Sequence, residues 1–579
     1  MLVLAMASSL LWARTGAAQL VPVGPEFQVN TYSTYNQFNA AVAVDGAGNF
    51  VVVWQSAGSA ESDTSQLSIQ AQRYDSTGAP LGAQFQVNTY TPGFQTSPAV
   101  ATDGSGNFVV VWESEGSGGS DTSQLSIQAQ RYDDTGAPLG SEFQANTYTT
   151  GFQNRPLVAA DGTGNFVVVW ESEGSLGSDT SLLSIQTRRY DNTGAPLGAE
   201  LQANTYTTDS QFASGVAVDG AGNFVVVWSS FGSAGTDTSA VSIHGQRFNS
   251  AGTPQGLELQ VNTYTTGRQV LPAVAADATG GFVVVWESQN GDGADTSSYS
   301  IHGRRYDNTG VAQGAEFEVN AYTTGKQSQA AVAADEAGNF VVVWQSDGSA
   351  GADTDAYSIH GRRYDSAGVP EAEFEVNSYT TGFQSLSQGG SAVSSDGGGR
   401  FVVVWDAQNP SYLDVKARRF AAPLPLPGRI TVIKPGTLAK FVAKPVAGDT
   451  FALPSSNLVA TGGTLRIFDT SATAGDDSYA LPSSGWKSLG NPPGAKGYKY
   501  AGAGTPADPC KVVLAKAKVI KAVCRGAGVM LTPPFTGDVG ISLSLGTTDR
   551  YCVQFGGEEV QDDATLTKRK NAPAPGTCP

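Results

Sequence analysis

The chain has 579 residues, of which 40% are apolar and only 15% charged, and it holds 70 glycines. Few charges and many glycines suit short strands joined by tight turns, and they exclude a long helical protein, whose surfaces would be rich in Lys, Glu and Ala. The net charge of −18 is uneven, about −24 before residue 428 and about +6 after it; the acidic part has only two lysines, Lys326 and Lys416, and so lacks the basic clusters that nucleic acid requires.

The N-terminus reads LVLAMASSLLWARTGAAQ. Its apolar stretch is too short to span a bilayer. The small residues Gly16, Ala17 and Ala18 suit signal-peptidase cleavage before Gln19. Residues 1–18 therefore read as a signal peptide, and the chain as one exported by the Sec route to the periplasm, the cell surface or the medium. No later stretch is long and apolar enough for a membrane span.

Tryptophans then recur at Trp54, Trp112, Trp170, Trp228, Trp286, Trp344 and Trp405, every 58 residues until a last step of 61. Each closes the phrase FVVVW. Each repeat goes on to an Arg–aromatic pair, from Arg73–Tyr74 to Arg419–Phe420. A fixed period of this length is the mark of a repeat architecture. The unit around Trp112 reads as four strands, at residues 98–102, 107–113, 126–132 and 142–146, with Asp/Gly turns at 103–106 and 133–136. Side chains alternate along a strand, so FVVVW is apolar on both faces and must be covered on both. Stacked propeller blades provide that cover.

A strand of the FQVN type appears at Phe27, before any first strand, and none follows Phe420. The N-terminal copy is expected to complete the last blade. The predicted fold is all-β: a seven-bladed β-propeller of four-stranded blades over residues 19–421, closed by the N-terminal strand, and a small C-terminal β-sandwich-like domain over 429–579. Pro423, Pro425 and Pro427 mark a linker at 422–428. In the tail, β-prone segments fall at 430–433, 464–468, 511–524 and 539–545. Four cysteines, Cys510, Cys524, Cys552 and Cys578, suggest two disulfides in an exported chain. Three pairings are open, and the short loops favour Cys510–Cys524 with Cys552–Cys578.

The phrase DGAGNFVVVWQS, followed by SIQAQRYDSTGAPLGAQFQVNTY, resembles a propeller-like repeat of large exported bacterial proteins, and the resemblance covers residues 27–420. The tail segments GWKSLGNPPGAKGYKY, KVIKAVCRG and RYCVQFGG, with the ending KRKNAPAPGTCP, are similar to C-terminal regions of exported proteins of the deltaproteobacterial type. The resemblance implies export and implies no particular activity.

The NTYTTGxQ loops set Gln95, Gln153, Gln269, Gln327 and Gln384 just before the innermost strands, with Gln37 and Gln211 in the same position. A ring of amides at the channel mouth suits a sugar or a peptide; the competing reading is that these amides satisfy loop backbone. Arg268 and Lys326 stand where Phe94, Phe152 and Phe383 stand in other repeats. Such a cationic pair suits an anionic ligand, against plain solvated variation. No cofactor is expected. The repeated aspartates Asp63, Asp121, Asp179, Asp237, Asp295 and Asp353, and Asp45, Asp103, Asp161, Asp219, Asp277, Asp335 and Asp396 on the other face, offer one carboxylate per loop. Calcium takes about six to eight oxygens, so Asx-turn duty is the stronger reading for both sets. His244, His302 and His360 sit at one third-strand position in three repeats, too far apart to form a metal triad.

Near-identical repeats present one environment many times, whereas an enzyme needs distinct groups in distinct roles. The favoured reading is therefore an exported, non-enzymatic binding or adhesion module for an extracellular glycan or protein, drawing on multivalency. The alternatives are a propeller hydrolase or lyase with a channel-mouth active site, and a structural surface component. The basic tail suits contact with acidic envelope material or with the acidic propeller. Oligomeric state is left open.

Overall fold

The computed structural model describes residues 21–574 except 59–66, 117–118, 120, 122–124, 176, 180–181, 233–234, 236, 238–240, 290–297, 349–356, 388–391, 410, 422–423, 447–450, 452, 455–456, 472–475, 547–548 and 557. The expected signal peptide lies outside the described residues, as do Asp63, Asp295, Asp353 and Cys578. The chain divides into two compact units, one of them Val21–Ala421 and the other comprising the residues from 422 onward.

In the first unit each repeat folds as one antiparallel sheet. Around Trp112 the strands are Gln95–Thr102, Phe108–Glu115, Leu125–Tyr132 and Phe143–Gln144, paired in that order. Among the described residues there are seven such sheets in this unit. The first strands of successive sheets pack on one another, and the last, Val393–Ser395, returns to the first, Gln37–Val44. These strands therefore surround an axis, which makes the unit a β-propeller.

The alternation of FVVVW explains the stacking. Phe108, Val110 and Trp112 pack with Ala41, Val51, Val53 and Ile69 of the preceding sheet. Val109 and Val111 pack with Leu157, Phe166, Val168 and Trp170 of the next. All seven repeat tryptophans are 0% exposed. Polar clasps reinforce each joint. Arg131 donates to the carbonyls of Thr193 and Asn192 in the next sheet's turn, and the Tyr132 hydroxyl donates back to the Val87 carbonyl at 3.2 Å.

The fourth strand is shorter than the sequence suggests. Its ladder is taken over by a side chain: Asn146 Oδ1 accepts the Ile127 N–H at 2.9 Å, and Asn146 Nδ2 donates to Asp121 at 2.8 Å. The first strand is longer than expected because it contains a bulge, with a register shift between Thr96 and Ala99.

The ring closes through the N-terminus. Phe27–Gln28 pairs with Leu413–Ala421 as the outermost ladder of the last sheet. Asn30 there does what Asn146 does, accepting the Val415 N–H and donating to Asp414, both at 2.9 Å. Glu26 accepts the Ser378 N–H at 2.8 Å, and Arg419 donates to the Ser76 carbonyl at 2.7 Å across the same seam.

The second unit is a two-sheet β structure. One sheet has five strands and includes Gly463–Asp469 and Val539–Leu545. The other has eight and includes Gly428–Lys434, Leu438–Ala443, Cys510–Lys516 and Val519–Arg525. Two short helical turns, Leu458–Thr461 and Ser483–Gly485, add what the sequence did not suggest. The Pro-rich segment is not free linker: Leu424–Pro425 pairs in parallel with Tyr551 and Cys552, inside this unit. The disulfide Cys510–Cys524 crosses a hairpin at paired positions. Cys552 is disulfide-bonded as well.

Asn30 is buried and makes the seam. Asn30→Ala is expected to cost about 2 kcal/mol, the loss of a buried hydrogen-bonded polar group. Calorimetric melting of N30A should show a drop at least as large as that of Asn146→Ala; an unchanged melt would mean the seam carries no stability.

Candidate functional site at the axial mouth

The loop glutamines do not ring an open mouth. Gln37, Gln95, Gln153, Gln211, Gln269, Gln327 and Gln384 are all 0% exposed. In six sheets the glutamine Oε1 accepts the tryptophan indole N–H, at 3.0–3.1 Å. An indole N–H inside an apolar stack needs an acceptor, and the glutamine supplies it. As placed, these amides hold the core and leave nothing for a ligand. In the sheet of Trp228 the partner differs, since Gln211 Oε1 accepts from Asn204.

The groups that vary around the axis lie one step deeper. In five sheets the first strand bulges two residues after the loop glutamine, where Asn39, Ser97, Arg155, Leu271 and Gln329 adopt φ between 50° and 54°. Non-glycine residues in this region are uncommon, and such strain gathers at functional positions. The bulge turns each backbone N–H toward the preceding sheet. There it meets the residue just after the tryptophan: Asp406, Gln55, Glu113, Ser229 and Glu287 accept from Asn39, Ser97, Arg155, Leu271 and Gln329 at 2.5–3.1 Å.

Side chains extend this into a polar belt on the innermost strands. Asn39 donates to Gln55, Thr96 to Glu113 at 2.8 Å, and Ser385 to Gln329 at 3.2 Å. Arg155, half exposed, pairs with buried Glu171 at 3.4 Å. Lys326 lies 3.9 Å from Glu287 and 5.0 Å from the Tyr299 ring centroid. Arg268 is exposed at the outer rim, and its carbonyl accepts the Gln289 N–H. Lys326 thus joins the belt, while Arg268 stays in solvent.

Burial disfavours charge in this belt. It raises the Glu287 carboxyl above the ordinary range, against the Gln329 N–H and Lys326. It pushes Asp406 up to about 7, against the N–H groups of Asn39 and Ala40. Asp406 Oδ1 and Gln345 Oε1 are buried with no hydrogen-bond partner among the described residues. Asp406 belongs to the sheet that breaks the symmetry and Gln345 to the one before it: the last tryptophan stands 21 residues from its glutamine, where the others stand 17. Exposed aromatic rings share this end of the molecule: Tyr35, Phe94, Phe152 and Tyr379.

The other sequence candidates have structural duties. The turn aspartates cap their own loops, as Asp103 does by accepting from Ser105, Asn107 and the Asn107 side chain. Asp121, Asp179 and Asp237 hold Asn146, Asn204 and Asn262 at 2.8 Å. The histidines are interblade fixtures. His302 Nδ1 meets Glu316 at 2.9 Å and its Nε2 meets Ser300, while Glu316 accepts from Thr263 of the preceding repeat. Burial works against the Glu316 charge, but the bonds from His302 and Thr263 prevail and keep its carboxyl below the ordinary range. No group of metal-ligating side chains is found among the described residues. The sequence signal for the belt was the residue after FVVVW, which changes from repeat to repeat inside a fixed phrase.

The raised Asp406 fixes a sign for pH. Its folded pKa of about 7 exceeds the free value of 3.8, so the native state binds the extra proton and stability falls as pH rises from about 4 to about 7. Asp406→Asn should melt above the native protein at pH 8, with the gap closing by pH 5; a pH-independent gap would refute the buried charge.

No family model matches the chain, and no curated protein matches it. Among solved structures it is similar to a protein of unknown function from Dyadobacter fermentans, at 9% identity over 69% of this chain and 99% of that one with a TM-score of 0.41. It is also similar to an α-L-arabinanase of Penicillium chrysogenum solved with arabinobiose, at 14% identity over 61% and 99% with a TM-score of 0.38. The polysaccharide lyase Uly1 is similar at 10% identity over 70% and 99%, with a TM-score of 0.41. Likeness of this degree carries no argument about chemistry.

Proposed function

We propose that the chain is an exported binding module whose propeller takes an extracellular glycan at the axial mouth. The observation that carries this reading is where the repetition breaks. The tryptophan is the same in every sheet, but the next residue runs Gln55, Glu113, Glu171, Ser229, Glu287, Gln345 and Asp406. Four residue types occupy these seven buried positions, so the ring is asymmetric there, and the half-exposed Arg155 and Lys326, paired with Glu171 and Glu287, carry that asymmetry out to solvent. Exposed cationic donors are suited to the oxygens of a sugar, and exposed rings at the same end offer flat apolar faces for it. The disulfide favours an oxidising compartment, in keeping with export.

A second reading, a hydrolase or lyase at the same mouth, is favoured by Asp406 alone. A carboxyl held near neutrality can keep a proton for a leaving group.

The test is a glycan array probed with the full chain, followed by analysis of the bound sugars for cleavage. Saturable binding, reduced at least tenfold in the pair Arg268→Ser with Lys326→Ser or in Glu171→Gln, is the expected result. Release of products by the native chain and not by D406N would move the protein to the second reading. Silence for every glycan would overturn both.

A further inference from the structure

We infer that the C-terminal unit carries a second binding surface, the outer face of its eight-stranded sheet, and that its ligand is an acidic polysaccharide. Seven consecutive strands of that sheet, Trp486–Ser488, Tyr498–Tyr500, Cys510–Lys516, Val519–Arg525, Leu438–Ala443, Gly428–Lys434 and Leu566–Ala572, contain no Asp or Glu. They contain twelve Lys and Arg residues. Only one of these turns inward: Arg569 is buried and pairs with Asp562 at 2.7 Å. The core residues Ile433, Phe441, Val513, Ile520 and Tyr500 occupy the inner face, so by strand alternation their neighbours face outward.

The registers assemble these outward residues into rows. One row runs Lys487, Lys499, Leu514, Lys521, Val442, Ile430 and Lys570. The next runs Val512, Val523, Lys440, Val432 and Lys568. All of these side chains are exposed or half exposed, and among the described residues none of the lysines makes an ion pair. Among the described residues of this sheet, carboxylates stand only on the edge strand, where Glu558 lies opposite Lys570.

Adjacent strands lie about 4.8 Å apart, so each row is a line of ammonium groups at multiples of that step, separated by short aliphatic side chains. Like charges gathered without counter-ions lower stability and call for an outside anion. The rows suit a linear polymer with an acid group on successive units. A membrane is a poorer match, because no Trp, Tyr or Phe projects from the face to enter an interface. A protein partner is poorer too, because the aromatic residues of these seven strands are all buried in the core and none is left to anchor a tight interface.

The experiment uses the full chain and two immobilised probes of similar length, polygalacturonate and neutral dextran. The expected result is binding to polygalacturonate and not to dextran, weakening steeply with salt, and falling at least tenfold in K440E/K521E/K568E. The neutral set K440Q/K521Q/K568Q, with melting checked, gives an intermediate loss and guards against misfolding of the reversed variant. Binding of the Gln set equal to native would overturn the inference. So would capture by phosphatidylglycerol vesicles with no capture by polygalacturonate. Loss confined to R268S/K326S would place acid recognition at the propeller mouth instead.

Discussion

A strand that is apolar on both faces cannot lie at the end of an array. FVVVW places Val110 and Trp112 against one neighbour and Val109 and Val111 against the other, and the same holds at every repeat. A linear stack would leave two such faces in water, each with several large side chains worth about 1.5–3 kcal/mol apiece when buried. The only arrangement that covers all of them is a ring. Every other joint in the unit follows from this: the arginine clasp, the tyrosine bond to the preceding sheet, and the asparagine that stands in for a short fourth strand. They are repeated because the problem they solve is repeated.

Much of this was legible in the sequence. Period, strand order and closure could be read because they rest on spacing and on alternation, both local properties. The glutamines misled for an instructive reason. A polar residue at a loop end looks available, but whether it faces solvent depends on the indole 17 residues away, a partner that spacing alone does not identify. The belt was hidden for the opposite reason. A bulge changes which way a backbone N–H points, and positive φ at Arg155 or Gln329 leaves no mark in the residue type. What the sequence did contain was the varied position after tryptophan, which only gains meaning once the bulges show what it faces.

The two units solve the problem of charge differently. The propeller is acidic overall, and it buries carboxylates against N–H groups, histidines or arginines, as at Glu287, Glu316 and Glu371. Asp406 is the exception in the propeller, a buried carboxyl with one oxygen unpartnered among the described residues. The C-terminal unit gathers its cations on one sheet face and sends its one buried arginine, Arg569, to Asp538 and Asp562. Its strands in the tail were only partly legible, because β-prone runs such as 464–468 announce a strand without saying which of two sheets it joins.

The seam has a consequence in time. It joins Phe27–Gln28, which is synthesised before all seven tryptophan strands, to Leu413–Ala421, which is synthesised after them. Until that final strand emerges, the nascent ring has two unsatisfied ends, one a row of free backbone groups and the other an open apolar face. Each growing chain therefore passes through a stage in which its own neighbours in the queue are as good a partner as its distant terminus. The slow, order-dependent step in making this molecule is the meeting of its two ends.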